Sequence, residues 1–164
     1  MAFGTGTHAT TRGCLEFIEE AACGFKGLAF RALDVGTGSG ILAIAAAKLG
    51  AEEVWALDSD PRALKVARQN VRCNCVQDKV YLSERSLSRV RKAFPVVVAN
   101  LTAETIIDLA GPLARRVGPE GFLILSGILG PKSAEVLSHF AAKAFQICRR
   151  KREKEWVTLL LRRR

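Results

Sequence analysis

Short apolar runs rich in β-branched residues alternate along the chain with stretches of helical periodicity. The pattern predicts a first helix over about Thr10–Ala22, a strand at Phe30–Val35, and a helix over Gly40–Leu49 that stops at Gly50. A strand at Glu53–Asp58 follows. Pro61–Asn74 reads as a helix, with Asp60 as N-cap and Pro61 in the first turn. Lys79–Leu82 reads as a strand, and Pro95–Ala99 is a continuous apolar strand of the kind a parallel sheet buries on both faces. Beyond it come a helix over Thr102–Arg116, a strand at Gly121–Ser126 and a helix over Lys132–Ala144. The last two runs, Phe145–Arg150 and Glu155–Leu161, read as strands joined by the basic stretch Lys151–Lys154.

Regular strand–helix alternation predicts an α/β fold with a doubly wound, mostly parallel sheet. The final two strands have only a short connection. A parallel pair needs a crossover of a dozen or more residues, so these two must form an antiparallel hairpin. Seven strands are expected, in one domain spanning residues 1–164, with no repeat, low-complexity tract or linker. The longest apolar run, Ile41–Ala47, is far short of a membrane span, and the first residues carry no secretory signal.

The most informative segment is Leu33-Asp34-Val35-Gly36-Thr37-Gly38-Ser39-Gly40, which follows a strand and opens a helix. Glycines here let the backbone turn tightly and approach a cofactor closely. A nicotinamide dinucleotide fingerprint needs a third small residue at position 41, where Ile41 stands. No phosphate-loop G-x-x-x-x-G-K-[ST] occurs. G-x-G-x-G preceded by an acid instead resembles the spacing of an S-adenosyl-L-methionine loop. Asp58 ends the second strand, 22 residues beyond Gly36, where a carboxylate accepts hydrogen bonds from ribose hydroxyls. Its competing role is to cap the next helix, a place Asp60 already fills. Asp34 either orients the loop or meets the ammonium of the cofactor's methionine. With a seven-stranded sheet ending in a hairpin, these features give the layout of class I S-adenosylmethionine-dependent methyltransferases.

Composition is that of an ordinary globular chain, 49% hydrophobic and 25% charged. The net charge of +9 is uneven: residues 143–164 hold nine Lys/Arg and two acids, so most of it is a basic C-terminal segment. A solvated sheet edge accounts for that segment better than an RNA contact, because only Phe145 and Trp156 accompany it. Five cysteines and two histidines form no metal pattern. They suit a cytoplasmic protein with reduced, mostly buried thiols. His8 is expected to cap a helix or structure its loop rather than accept a proton. Trp156 is expected to anchor the last strand in the core.

Two further stretches, Ala2-Phe3-Gly4-Thr5-Gly6-Thr7-His8-Ala9-Thr10-Thr11 and Asn100-Leu101-Thr102-Ala103, resemble the PrmA-type ribosomal protein methyltransferases, which trimethylate large-subunit protein eleven. The resemblance continues through Leu42–Ala45, Asp58–Pro61, Val96–Asn100, Ser126–Leu129 and Glu155-Trp156. Thr37 stands where many members have Cys, and Ala9 where many have Pro. The resemblance implies cofactor contacts at Thr11, Gly36, Asp58 and Asn100, joined by Gly38 and Asp34 of the loop. It also implies a partial lid over the cofactor from Phe3 to His8, with contacts from Phe3 and Thr5. The family's N-terminal substrate-recognition domain is expected to be absent from residues 1–164.

The resemblance implies transfer of a methyl group from S-adenosyl-L-methionine to a protein lysine or α-amine, with a ribosomal protein as partner, no metal and no membrane. Asn100 is the candidate catalytic residue, its side-chain carbonyl accepting a hydrogen bond from the incoming amine. Its competing role is a cap for the following helix. Enzymes that methylate adenine or glutamine carry Asn/Asp-Pro-Pro-aromatic at this place, and this chain has neither the prolines nor the aromatic. Two alternatives stay open: an RNA or small-molecule methyltransferase, and a cofactor-binding domain inactive without its substrate-docking half.

Overall fold

A computed structural model describes residues 7–164. Its elements are α1 (Ala9–Cys23), β1 (Phe30–Val35), α2 (Ile41–Lys48), β2 (Ala51–Leu57), α3 (Pro61–Cys73), β3 (Val80–Ser83), β4 (Phe94–Asn100), α4 (Ala103–Asp108), α5 (Ala110–Arg116), β5 (Val117–Leu129), α6 (Ser133–Ala141), β6 (Phe145–Glu153) and β7 (Trp156–Arg163). They form one seven-stranded sheet in the order β3-β2-β1-β4-β5-β7-β6. β1 to β5 pair in parallel, while β7 runs antiparallel to both β5 and β6. The doubly wound architecture and the antiparallel ending are those expected.

Alternation along each strand sends its apolar residues to two cores. Ala32, Val54, Ala56, Val96 and Val98 pack with α1 and α2 through Phe17, Ile18, Leu42 and Ala46. Leu33, Val97, Leu123 and Leu159 pack with α4 to α6 through Ile106, Leu113, Val136 and Phe140. Apolar residues on both faces of β4 are what a central parallel strand requires.

Several expectations need correction. The helix foreseen over Thr102–Arg116 is two, meeting at Leu109. Pro112 has no N–H to give the Asp108 carbonyl, and its ring would press on that carbonyl in one continuous helix. The strand foreseen at Gly121–Ser126 runs from Val117 to Leu129, and the Gly-Pro-Glu-Gly stretch lies within it as an irregularity opposite Phe94–Val96. α6 is shorter than foreseen, ending at Ala141, and Ala144 takes a left-handed conformation. Trp156 is only partly buried and sets its ring against His8 rather than in the core. Of the five free cysteines only Cys14 is buried, because Cys23, Cys73 and Cys75 lie at helix ends and Cys148 on the outer strand.

The basic stretch is strand rather than connection: β6 runs through Arg152 to Glu153, and the hairpin turns at Lys154 and Glu155. As the outermost strand it presents its side chains to solvent and to α1. Lys151 pairs with Glu16 at 2.5 Å, Arg149 reaches Glu20 at 3.8 Å, and Arg12 pairs with Glu153. Arg150 donates to the Ser133 hydroxyl at 2.8 Å. Two of the tail's nine cations are therefore met by carboxylates of α1. Exposed pairs like these contribute little individually.

α1 lies against β7 at Gly13, where a Cβ would stand 2.3 Å from the Thr158 hydroxyl oxygen. Gly13→Ala is expected to destabilise the fold by about 1–3 kcal/mol through overpacking, despite alanine's better helix propensity. In urea denaturation, Gly13→Ala combined with Thr158→Ala should be more stable than the sum of the single losses predicts. Simple additivity would show that the contact does not limit packing.

Candidate functional site

β1 and β4 are neighbours at the centre of the sheet, yet the chain leaves them in opposite directions. After β1 it enters α2 on one face, and after β4 it enters α4 on the other. A crevice opens at the carboxyl ends of such a strand pair, where open α/β sheets bind ligands. The glycine loop, Asp58 and Asn100 all come to this edge.

The loop is tied down from beneath. The Gly36 and Thr37 N–H groups both donate to the Leu57 carbonyl, at 2.8 and 2.9 Å. Gly36 has a φ of +74°, and a Cβ there would meet Leu101 Cδ2 at 2.5 Å. Gly127, with a φ of +83°, is tighter still: a Cβ would lie 2.2 Å from the Leu101 carbonyl oxygen. Leu101 thus occupies space that two absent side chains leave free.

Two carboxylates flank the loop. Asp58 stands at the end of β2 and accepts the Gly38 N–H at 2.8 Å and the Asp60 N–H at 2.9 Å, one on each oxygen. The cap of α3 is Asp60, which accepts from the Arg62 N–H at 2.8 Å. Asp58 is therefore not that helix's cap, and each of its oxygens keeps a lone pair. Asp34 is only 1% exposed. Its Oδ2 accepts the Thr37 hydroxyl at 2.6 Å, while its Oδ1 has no hydrogen-bond partner of good geometry among the described residues. Burial pushes this carboxyl up to about 7, against the pull of the Thr37 hydroxyl and the Ala43 backbone, with the Asp58 charge adding to the rise. Beside it, burial and the Asp34 charge also raise the Cys14 thiol, and the buried Ser126 and Thr158 hydroxyls bond each other at 2.7 Å.

Asn100 closes β4, opposite Ser126 on β5. It does not cap α4, because the Thr102 hydroxyl does so by accepting the Thr105 N–H at 3.3 Å. A chain of hydrogen bonds sets its orientation. His8 caps α1 by accepting the Thr10 N–H on Nδ1 at 3.4 Å. The Thr10 hydroxyl then donates to the same nitrogen at 2.8 Å. Having given its proton to His8, it accepts from Asn100 Nδ2 at 3.3 Å. The carbonyl half of the Asn100 amide has no hydrogen-bond partner among the described residues. His8 in turn places its ring edge-on to Trp156, with centroids 5.3 Å apart.

The crevice thus brings together Asp34, Gly36, Gly38, Asp58 and Asn100. Thr11 is on α1 next to Thr10 but only 2% exposed, packed inside rather than facing an open surface. Phe3 and Thr5 lie outside the described residues. Thr10 and Leu101 went unforeseen. The spacing His8-x-Thr10 was a usable signal for a cap, whereas nothing in the sequence marks Leu101. Among the described residues no group of His, Cys, Asp and Glu is placed to hold a metal.

The arrangement suits a positively charged ligand with a polar, hydroxyl-bearing arm. An unpaired buried carboxylate oxygen waits beside the loop, a second carboxylate has lone pairs to spare, and an amide carbonyl faces the same edge.

A family model described as ribosomal protein L11 methyltransferase (PrmA) matches residues 1–164. The ribosomal protein L11 methyltransferase of Geobacter sulfurreducens is 47% identical over 162 residues, covering 99% of this chain and 52% of that protein. That of Chloroflexus aurantiacus is 44% identical over 188 residues, covering 99% and 56%. The chain spans about half the length of the curated relatives it matches. Among solved structures, a ribosomal protein L11 methylase from Lactobacillus delbrueckii is 35% identical with a TM-score of 0.89, covering 97% of this chain and 81% of that one. The magnesium protoporphyrin IX methyltransferase of Synechocystis with bound SAM superposes with a TM-score of 0.75 at 18% identity, covering 99% and 88%, which speaks to fold alone.

Asp34 sets a pH dependence of stability. Its carboxyl titrates near 4 in the unfolded chain and about 7 in the folded one, so the folded state favours the protonated form. The stability this preference gives is fully present below about pH 4 and lost as pH rises through 7. Asp34→Asn cannot ionise. In urea melts it should therefore gain stability relative to wild type between pH 5 and pH 8, by up to about 1.4 kcal/mol per pKa unit crossed. A gap of equal size at both pH values would show that Asp34 is ionised throughout.

Proposed function

The chain belongs to the ribosomal protein L11 methyltransferase (PrmA) family, and on that premise we propose that it transfers a methyl group from S-adenosyl-L-methionine to an amine of ribosomal protein L11. The observation that carries the reading is Asn100, held by Thr10 at the same strand edge as the glycine loop, with no partner for its carbonyl among the described residues. We read the acceptor as a lysine ε-amine or an α-amine. A cytoplasmic location follows from such a substrate. No described helix is long and apolar enough to cross a membrane.

The residues present fit this cofactor. Asp58 would take the ribose hydroxyls on its remaining lone pairs, and Gly36 and Gly38 let backbone approach closely. The unpaired Oδ1 of Asp34 would receive the methionine ammonium, directly or through water. When bound, the cofactor supplies an electrophilic methyl on a sulfonium, whose sulfur keeps the C–S bonding pair as the methyl moves to nitrogen.

The chain's own contribution is placement. Near-attack alignment alone lowers a barrier by about 7–11 kcal/mol. A lysine amine, with a free pKa of about 10.4, must lose a proton before it has a lone pair to use, and a dry apolar wall favours that loss. Asn100 accepts one N–H of the neutral amine and so turns the lone pair toward the methyl. His8 is not read as the base, because its Nδ1 is already engaged by α1. The final proton passes to solvent. We propose that the part of the relatives this chain does not span selects the substrate protein.

Incubation of the 164-residue chain with labelled cofactor and either purified ribosomal protein L11 or ribosomal RNA tests the reading. Label on the protein is expected. Label on RNA alone would refute the function proposed for this chain.

Two variants separate the roles. Asp58→Ala should weaken cofactor binding by at least tenfold in calorimetry, since charge-assisted bonds contribute about 1.5–3 kcal/mol. Unchanged affinity would remove Asp58 from the site. Thr10→Val should lower kcat with cofactor affinity intact, and Thr10→Ser should restore it. Equal loss of both parameters would make Thr10 a purely structural residue.

A further inference from the structure

A second cavity, of about 400 Å³, lies away from the glycine loop on the outer strands of the sheet. It sits on the face that α4 to α6 cover elsewhere, where β2 and β3 extend beyond those helices. Between β3 and β4 the chain crosses this face with a single helical turn, Leu87–Arg89, rather than a full helix. Trp55 and Tyr81 are direct cross-strand partners, so both side chains leave the same face of the sheet and line the cavity. Trp55 is half-buried against Phe94, with ring centroids 6.2 Å apart, while Tyr81 is 53% exposed.

Cations surround this aromatic floor. The Lys92 ammonium is 5.3 Å from the centre of the Trp55 ring, and the Arg85 guanidinium is 5.8 Å from it. The acid of the cavity is Glu53, which accepts from Lys92 at 2.8 Å and from the Trp55 indole N–H at 2.5 Å. Lys92 holds that carboxyl below the usual carboxylate range, with Arg31 on the neighbouring strand assisting. The segment leading back to β4 adds Arg89 and Arg91. The cavity is thus an exposed aromatic surface inside a positively charged rim, open along the sheet edge.

We propose that this surface binds single-stranded nucleic acid, with a base stacked on Tyr81 beside Trp55 and phosphates drawn to Arg85 and Lys92. Interleaved aromatics and cations are what such binding requires, since every base has a face to stack and every linkage a charge to meet. The C-terminal basic strand is arranged differently: its Arg149 and Lys151 lie beside Glu20 and Glu16 of α1. The open side of the cavity lets a strand pass along the cationic segment. This site is independent of the function proposed for the glycine-loop crevice.

Fluorescence anisotropy of a labelled, mixed-sequence RNA decamer titrated with the 164-residue chain tests the proposal. Saturable binding is expected at low salt. Tyr81→Ala should weaken it about tenfold, since one stacked base contributes about 1–3 kcal/mol. Tyr81→Phe should retain it. Arg85→Ala with Lys92→Ala should weaken it and reduce the salt slope by about 1.4, at 0.7 per phosphate contact on a single strand. Circular dichroism confirms that each variant folds, and Tyr81 lies far enough into solvent for this to be expected. Absence of binding at low salt would overturn the proposal. So would equal competition by a duplex or by polyphosphate, an undiminished affinity in Tyr81→Ala, or loss of binding on Arg150→Ala with Arg152→Ala instead.

Discussion

Leu101 stands where three strand ends meet, and it fits only because positions 36 and 127 carry no side chain. This close approach holds the crevice in shape. It presses the end of β4 against the glycine loop on one side and the irregular end of β5 on the other. Asn100, one residue earlier, is thereby placed beside the loop, and Leu101 itself is fastened by its N–H to the Ser126 carbonyl at 3.0 Å. A larger residue at 36 or 127 would separate the strand ends that the proposed chemistry needs together. Both glycines also have positive φ, so the backbone itself resists replacement there.

Around that contact the chain carries costs that folding alone does not explain. Asp34 is buried with one oxygen unpaired, an arrangement that weakens the fold as pH rises. A second polar chain, from Asn100 through Thr10 to His8, engages one amide half and leaves the other free. Asp34 Oδ1, at the base of the glycine loop, is one of two buried side-chain atoms without a hydrogen-bond partner among the described residues, and such a group calls for an explanation.

Much of this was legible in the sequence because it rests on local rules. Strand period, the alternation of elements and the short last connection are local or near-local facts, and they led to the observed sheet. Asp60-Pro61 marked the start of α3 in the same way, and the glycine spacing marked the loop. Where reading faltered, tertiary context had decided the outcome. Pro112 divided a helix that periodicity joined, and the Gly-Pro-Glu-Gly stretch stayed within β5 because Val117 still pairs with Phe94. Trp156 was assigned to the core on hydrophobicity, whereas its neighbour His8 is distant in sequence. The orientation of Asn100 depends on a hydroxyl 90 positions away, and no spacing rule reveals such a pair.

The central claim is that Asp34, at the base of the glycine loop, must ionise to receive a cationic cofactor. Calorimetry of S-adenosylhomocysteine binding at pH 6, in buffers of different ionisation heat, counts the protons exchanged on binding. With a carboxyl near 7 in the free chain, one saturable site releasing close to one proton is predicted, and Asp34→Asn should abolish that release. Binding without proton release, or release unchanged in Asp34→Asn, would contradict the account.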